Sequence, residues 1–144
     1  MKIENKALFI VLPGILLCQG FADAQTIVTH ETEKYFYQDG RMEKFDGQYE
    51  NTYLLDAEQE KLTRTRVYDY QKKEVRPDNT VYAIDTLMDS HPRQASKHNL
   101  PPVITAVGKP SDNSAEVLVI RADSAESSMA EGDRLIVSRA ERLS

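Results

Sequence analysis

The sequence predicts an all-β protein, a single small antiparallel barrel or two-sheet sandwich built as a meander and preceded by a cleavable signal peptide. Three observations predict it. Turn signals recur about every ten residues after residue 25, the spacing of small sandwiches and barrels. The runs between them alternate or are rich in Val, Ile, Thr and Tyr, which suit a pleated, half-buried surface. No amphipathic helical stripe of any length appears, and no repeat of roughly 20–50 residues that would signal a solenoid or propeller.

The elements follow in chain order. A first strand is expected at 26–30 and a second at 33–38, where Tyr35 and Tyr37 alternate around Phe36. Asp39-Gly40 then marks a tight primed turn, since both residues tolerate positive φ. Residues 41–45 return antiparallel, and Asp46-Gly47 repeats the punctuation. In the strand at 48–56, Tyr49, Asn51, Tyr53 and Leu55 share one face. The polar stretch 57–60 leads to 61–70, Lys-Leu-Thr-Arg-Thr-Arg-Val-Tyr-Asp-Tyr. Strict alternation puts Leu62, Arg64, Arg66, Tyr68 and Tyr70 on one face of this strand, and Thr63, Thr65, Val67 and Asp69 on the other. It contains no Gly or Pro, so it can lie in the middle of a sheet.

Val75 begins a short piece that Pro77-Asp78-Asn79 ends. A strand at 80–87 carries Tyr82 and Ile84 on one side and Val81 and Ala83 on the other. Residues 88–99 read as a loop with room for a helical turn at 93–97, and Leu100-Pro101-Pro102 is stiff and extended. A strand at 103–107 and a loop at 108–114 precede 115–122, whose run Val117, Leu118, Val119, Ile120 is the pattern of a strand covered on both faces. Residues 123–132 are small and polar and could hold a short helix at 124–130, capped by Asp123 and stopped by Gly132. A strand at 134–139 closes the chain. A barrel is favoured over a sandwich because successive hairpins close easily and closure removes exposed edges.

The first 24 residues stand apart. Lys2 and Lys6 precede an apolar run at 7–17, and Ala22 and Ala24 occupy the small positions of an A-x-A cleavage site, the three parts of a secretory signal peptide. The run is too short for a membrane span, which takes about 20 residues. The segment ending at Cys18 is also similar to a bacterial lipoprotein signal, which implies a lipid anchor on that cysteine. It departs from that pattern at Leu17, where the signal has a small residue, so processing after Ala24 is the preferred reading. The body is then a single β domain at 25–144 without cysteine, which excludes disulfides, thiol catalysis and thiolate metal sites. Removing residues 1–24 takes away Lys2, Lys6, Glu4 and Asp23 and leaves the net charge at −5. That balance argues against a nucleic-acid surface, which needs a basic stripe. No transmembrane candidate remains after processing.

Few residues point to chemistry. His91 and His98 share one loop with Asp89 and lie near Asp85, but no H-x-x-x-H or H-x-H spacing makes a metal site. No nucleophile elbow and no phosphate-cradling glycine loop occur. No catalytic residue, metal or cofactor is therefore assigned. The distinctive feature is tyrosine: all 7 lie between residues 35 and 82. With Arg64 and Arg66 on the same strand face as Tyr68 and Tyr70, and Tyr49 and Tyr53 on the strand before, these six side chains are the candidate ligand-binding set. The sequence thus points to an exported, non-enzymatic binding or interaction module of a bacterial-type envelope, periplasmic or extracellular, whose partner is a small ligand or an envelope protein. The alternatives are a small secreted hydrolase using the histidines and carboxylates of 85–98, and a purely structural envelope component.

Overall fold

Asp39 and Gly40 both take positive φ, 52° and 70°, so the first turn is the tight primed type that an Asp-Gly pair favours. In the computed structural model, which describes residues 24–88 and 103–144, this turn joins β1 (Ala24–Gln38) to β2 (Arg41–Asp46). Then come β3 (Tyr49–Asp56), β4 (Lys61–Asp69), β5 (Glu74–Met88), β6 (Val103–Gly108), β7 (Ser114–Ile120), β8 (Ser124–Glu131) and β9 (Arg134–Arg142). Strands β3 to β9 neighbour one another in chain order, and β9 pairs back onto β1. Eight antiparallel strands therefore close a barrel rather than a sandwich, and β2 is an addition to it. Among the described residues there is no helix, and so none long and apolar enough to cross a membrane. The leader, Cys18, Ala22, the possible turn at 93–97, Asp89, His91 and His98 lie outside the described residues; Ala24 opens β1.

β2 and β3 lie end to end along one side of β1, β2 against residues 33–38 and β3 against residues 24–30. The break between them falls at Gly47, where a Cβ would sit 1.7 Å from the carbonyl oxygen of Glu31; only glycine lets the two backbones come so close. The Gly47 amide donates to the Thr32 carbonyl at 2.9 Å, and the Gln48 amide donates to the Glu31 carboxylate at 3.0 Å. β2 itself is exposed along its whole length.

The barrel interior divides into a filled half and a hollow one. Around the ends of β3 and β5 and the start of β1, Ile27, Leu55, Leu62, Ile84, Ile104, Ala106, Leu118, Ile120 and Ala125 form one buried cluster. This is the apolar burial that stabilises the fold, at roughly 1.5–3 kcal/mol per large side chain. Towards the opposite end the inward positions turn polar.

Four local expectations are corrected. The strict alternation of β4 fails at Thr65: Tyr53 faces Arg64 but the next residue back along β3, Thr52, faces Arg66, so β4 carries an extra residue there. Such a bulge exchanges the two faces beyond it. Leu62 and Arg64 point inward before it, Val67 and Asp69 after it, and Arg66, Tyr68 and Tyr70 point out. Second, Pro77 does not end a strand. It sits inside the 15-residue β5 at the register shift opposite Arg64 and Arg66, a place where a missing N–H is tolerated. Third, residues 124–130 are not a helix but most of β8, paired on both sides by β7 and β9; two full ladders outweigh the modest local preference of Ala, Ser and Glu. Fourth, β7 is not covered on both faces. Glu116, Leu118 and Ile120 point inward, while Val117 is 42% exposed on the outer wall.

Candidate functional site: a polar cavity in one half of the barrel

The hollow half encloses a cavity of about 440 Å³, within the usual size range of small-molecule sites. Eight-stranded barrels are just wide enough to be filled by side chains or to hold one small ligand. Two bulges aim the lining. Extra residues at Thr65 in β4 and Thr32 in β1 reset the inward parity, so that Glu31 is followed inward by Lys34 and Phe36.

The floor is built from four strands. Arg64 of β4 lies 3.4 Å from Glu116 of β7 and 3.4 Å from Asp78 of β5. The Tyr82 hydroxyl donates to the same Glu116 oxygen, Oε2, at 2.7 Å. The Tyr53 hydroxyl of β3 lies close to the Arg64 and Thr29 side chains, and its ring meets that of Tyr82 edge-on at 6.2 Å. Tyr82 fits because Gly108 faces it. A Cβ at Gly108 would come within 2.6 Å of the Tyr82 ring.

The electrostatics follow from burial. Burial, and then the Glu116 charge, push the Tyr53 and Tyr82 phenols far above their ordinary range, so both stay protonated donors. Burial acts against the charge of Arg64, but the carboxylates of Glu116 and Asp78 outweigh it and hold the guanidinium charged. Burial would raise Asp78; hydrogen bonds from Thr80 and the charge of Arg64 hold it below the usual carboxylate range. Arg64 Nε is sealed from solvent with no hydrogen-bond partner.

Higher up the wall, Lys34 pairs with Glu31 at 3.1 Å and lies 4.2 Å over the Tyr49 ring. Arg76 approaches the same ring at 5.7 Å. At the lip Arg134 pairs with Glu131 and lies over Phe36 at 5.5 Å. Met129, Ile136, Ser127 and Ser138 complete the far wall.

The six candidate residues read from the sequence therefore separate. Arg64, Tyr53 and Tyr49 line the cavity. Arg66, Tyr68 and Tyr70 form a second cluster on the outer wall. There the Tyr70 hydroxyl donates to Glu50 at 2.8 Å and lies 2.9 Å from His30 Nδ1, while Arg66 pairs with Glu50 at 3.2 Å and covers Tyr68. Burial, and then the bond to Glu50, push the Tyr70 phenol up to about 12.

Glu31, Lys34, Asp78, Tyr82 and Glu116 were not singled out in the sequence. Glu116 had a signal: it is the one carboxylate in the apolar run of β7, in step with Leu118 and Ile120. Among the described residues, no three His, Cys, Asp or Glu side chains converge to hold a metal ion. Comparison with protein-family models, with curated proteins and with solved structures finds no match to this chain.

Proposed function

We propose that the chain is an exported, non-enzymatic binding module that takes one small molecule into the open half of its barrel. The observation that carries this reading is the 440 Å³ cavity with charged and aromatic walls. A barrel of this size closes well without a void when its inward positions are apolar, as they are in the other half of this one. The cavity offers donors (Arg64, Lys34, Arg134), acceptors (Glu116, Asp78) and ring faces (Tyr49, Phe36) around a common space, the mixture that fixes the orientation of a small ligand. The proposed site is thus the inner wall rather than the outer tyrosine face. Export to a periplasmic or extracellular space is supported by the leader pattern of residues 1–24.

Native mass spectrometry and a thermal-shift screen of small metabolites test the proposal, with Ser138→Phe as the control. Ser138 lines the cavity, so a phenyl ring there fills part of the space. The expected result is a ligand bound one to one by the natural chain and weakened at least tenfold by the substitution. A ligand whose affinity ignores Ser138→Phe would place binding elsewhere.

A further inference from the structure

The charges lining the cavity are layered. At the floor one cation, Arg64, faces two carboxylates, Glu116 and Asp78, an excess of one negative charge. Halfway up, Glu31 and Lys34 cancel. At the lip stand two cations, Arg76 and Arg134, and one carboxylate, Glu131, which pairs with Arg134. The remaining lining carboxylate, Glu126, is neutralised by the exposed Arg121 and Arg139, so the lip has an excess of one positive charge. The floor also has a free acceptor. Glu116 is 5% exposed, and its Oε2 takes the bonds from both Tyr82 and Arg64. Among the described residues, Oε1 has no hydrogen-bond partner, and Glu116 is one of the residues that line the cavity.

Resting on the binding reading above, we propose that the ligand is a zwitterion, its cationic group on Glu116 and Asp78 and its anionic group between Arg76 and Arg134. The geometry bounds its length. Ser114, two residues up β7 from Glu116, pairs with Glu131, so floor and lip are separated by roughly 7 Å of strand rise. A free α-amino acid holds its charges only about 3 Å apart, and each further residue adds about 3.5 Å. The cavity thus fits a zwitterion of dipeptide length. Its volume admits about 20 non-hydrogen atoms at the packing density of a protein interior. Opposite charges at the two ends give such a molecule one orientation, and they disfavour simple anions at the floor and simple cations at the lip.

A thermal-shift screen of free dipeptides beside simple carboxylates, simple amines and neutral sugars, followed by calorimetry, tests this. The best dipeptide is then compared with its N-acetylated form and its C-terminal amide. Each cap is expected to weaken binding at least tenfold. Arg134→Gln, at a half-exposed position that leaves the floor intact, is expected to weaken the free dipeptide at least threefold and leave the amide unchanged. Glu116→Gln is expected to weaken the free dipeptide and the amide and spare the N-acetylated form. If carboxylates, amines or sugars bind while dipeptides do not, or if capping costs nothing, the zwitterion is overturned and the cavity reading stands. If no compound of any class binds in a manner sensitive to Ser138→Phe, both fall.

Discussion

Tyr82→Phe removes one oxygen atom from the most enclosed part of the molecule. Tyr82 is fully buried and Glu116 nearly so, and the lost hydroxyl is the 2.7 Å donor to Glu116 Oε2. Arg64, at 3.4 Å, would be the donor left to that oxygen. A hydrogen bond to a charged group contributes about 1.5–3 kcal/mol, so a loss of about 2 kcal/mol at pH 7 is expected. For a body of this size that is a fall in Tm of roughly 6–10 °C. The pH dependence is a second, independent signature. The folded-state pKa values of Tyr82 and Tyr53 are raised above the unfolded value. Their contribution is therefore complete below about pH 10 and lost as pH rises, because the unfolded chain sheds protons that the folded one keeps. Each such phenol steepens the alkaline limb by about 1.4 kcal/mol per pH unit. The substitution removes one of the two, so the variant's limb should be shallower and its deficit should shrink above pH 10. Urea titrations of both proteins at pH 7, 10 and 11 measure this. A variant within about 0.5 kcal/mol of the parent at pH 7, with an unchanged alkaline limb, would refute the buried Tyr82–Glu116 bond; that threshold is well below the charged hydrogen-bond range.

Two further contrasts follow from the fold. Arg64→Ala leaves Glu116 and Asp78 facing each other without their cation and should cost about 3–5 kcal/mol, whereas Arg66→Ala breaks a half-exposed outer pair and should cost under about 1 kcal/mol; equal losses in urea denaturation would contradict the bulge at Thr65. Gly47→Ala drives a methyl group into the Glu31 carbonyl and is expected to prevent folding or cost more than about 3 kcal/mol. Gly40→Ala, with φ at +70° but open space around it, should cost only about 1 kcal/mol, and circular dichroism melts separate the two.

Much of this architecture could be read from local pattern. The Asp39-Gly40 turn, the strand at 48–56 with Tyr49 and Tyr53 on one face, and the preference for closure all rest on short-range chemistry, and the structure has each of them. The readings that failed needed information from a neighbouring strand. A bulge is a mismatch between two strands, so nothing within Lys-Leu-Thr-Arg-Thr-Arg-Val-Tyr marks Thr65 as the extra residue. Without it, Arg64 and Arg66 look equivalent, and the inner and outer clusters merge into one imagined face. Residues 124–130 failed for a related reason: Ser-Ala-Glu-Ser-Ser-Met-Ala has no strand signature, and what makes it a strand is β7 on one side and β9 on the other. Asp78 was read as a turn residue, although the register shift in β5 brings it to Arg64.

The two halves of the barrel share one backbone design and differ in what the inward positions carry. Leu62 and Arg64 are successive inward residues of β4, and Leu118 and Glu116 are successive inward residues of β7. In each strand the first named belongs to the apolar cluster and the second to the polar floor. Buried ion pairs seldom stabilise a fold more than apolar side chains of the same volume would. Stability alone therefore gives no reason for the change from leucine to arginine and glutamate one step along. The 3.4 Å separations of Arg64 from Glu116 and Asp78 and the unfilled space above them point the same way. The floor is incompletely satisfied by the protein itself, and a ligand that supplied the missing partners would gain what the folded chain leaves unused.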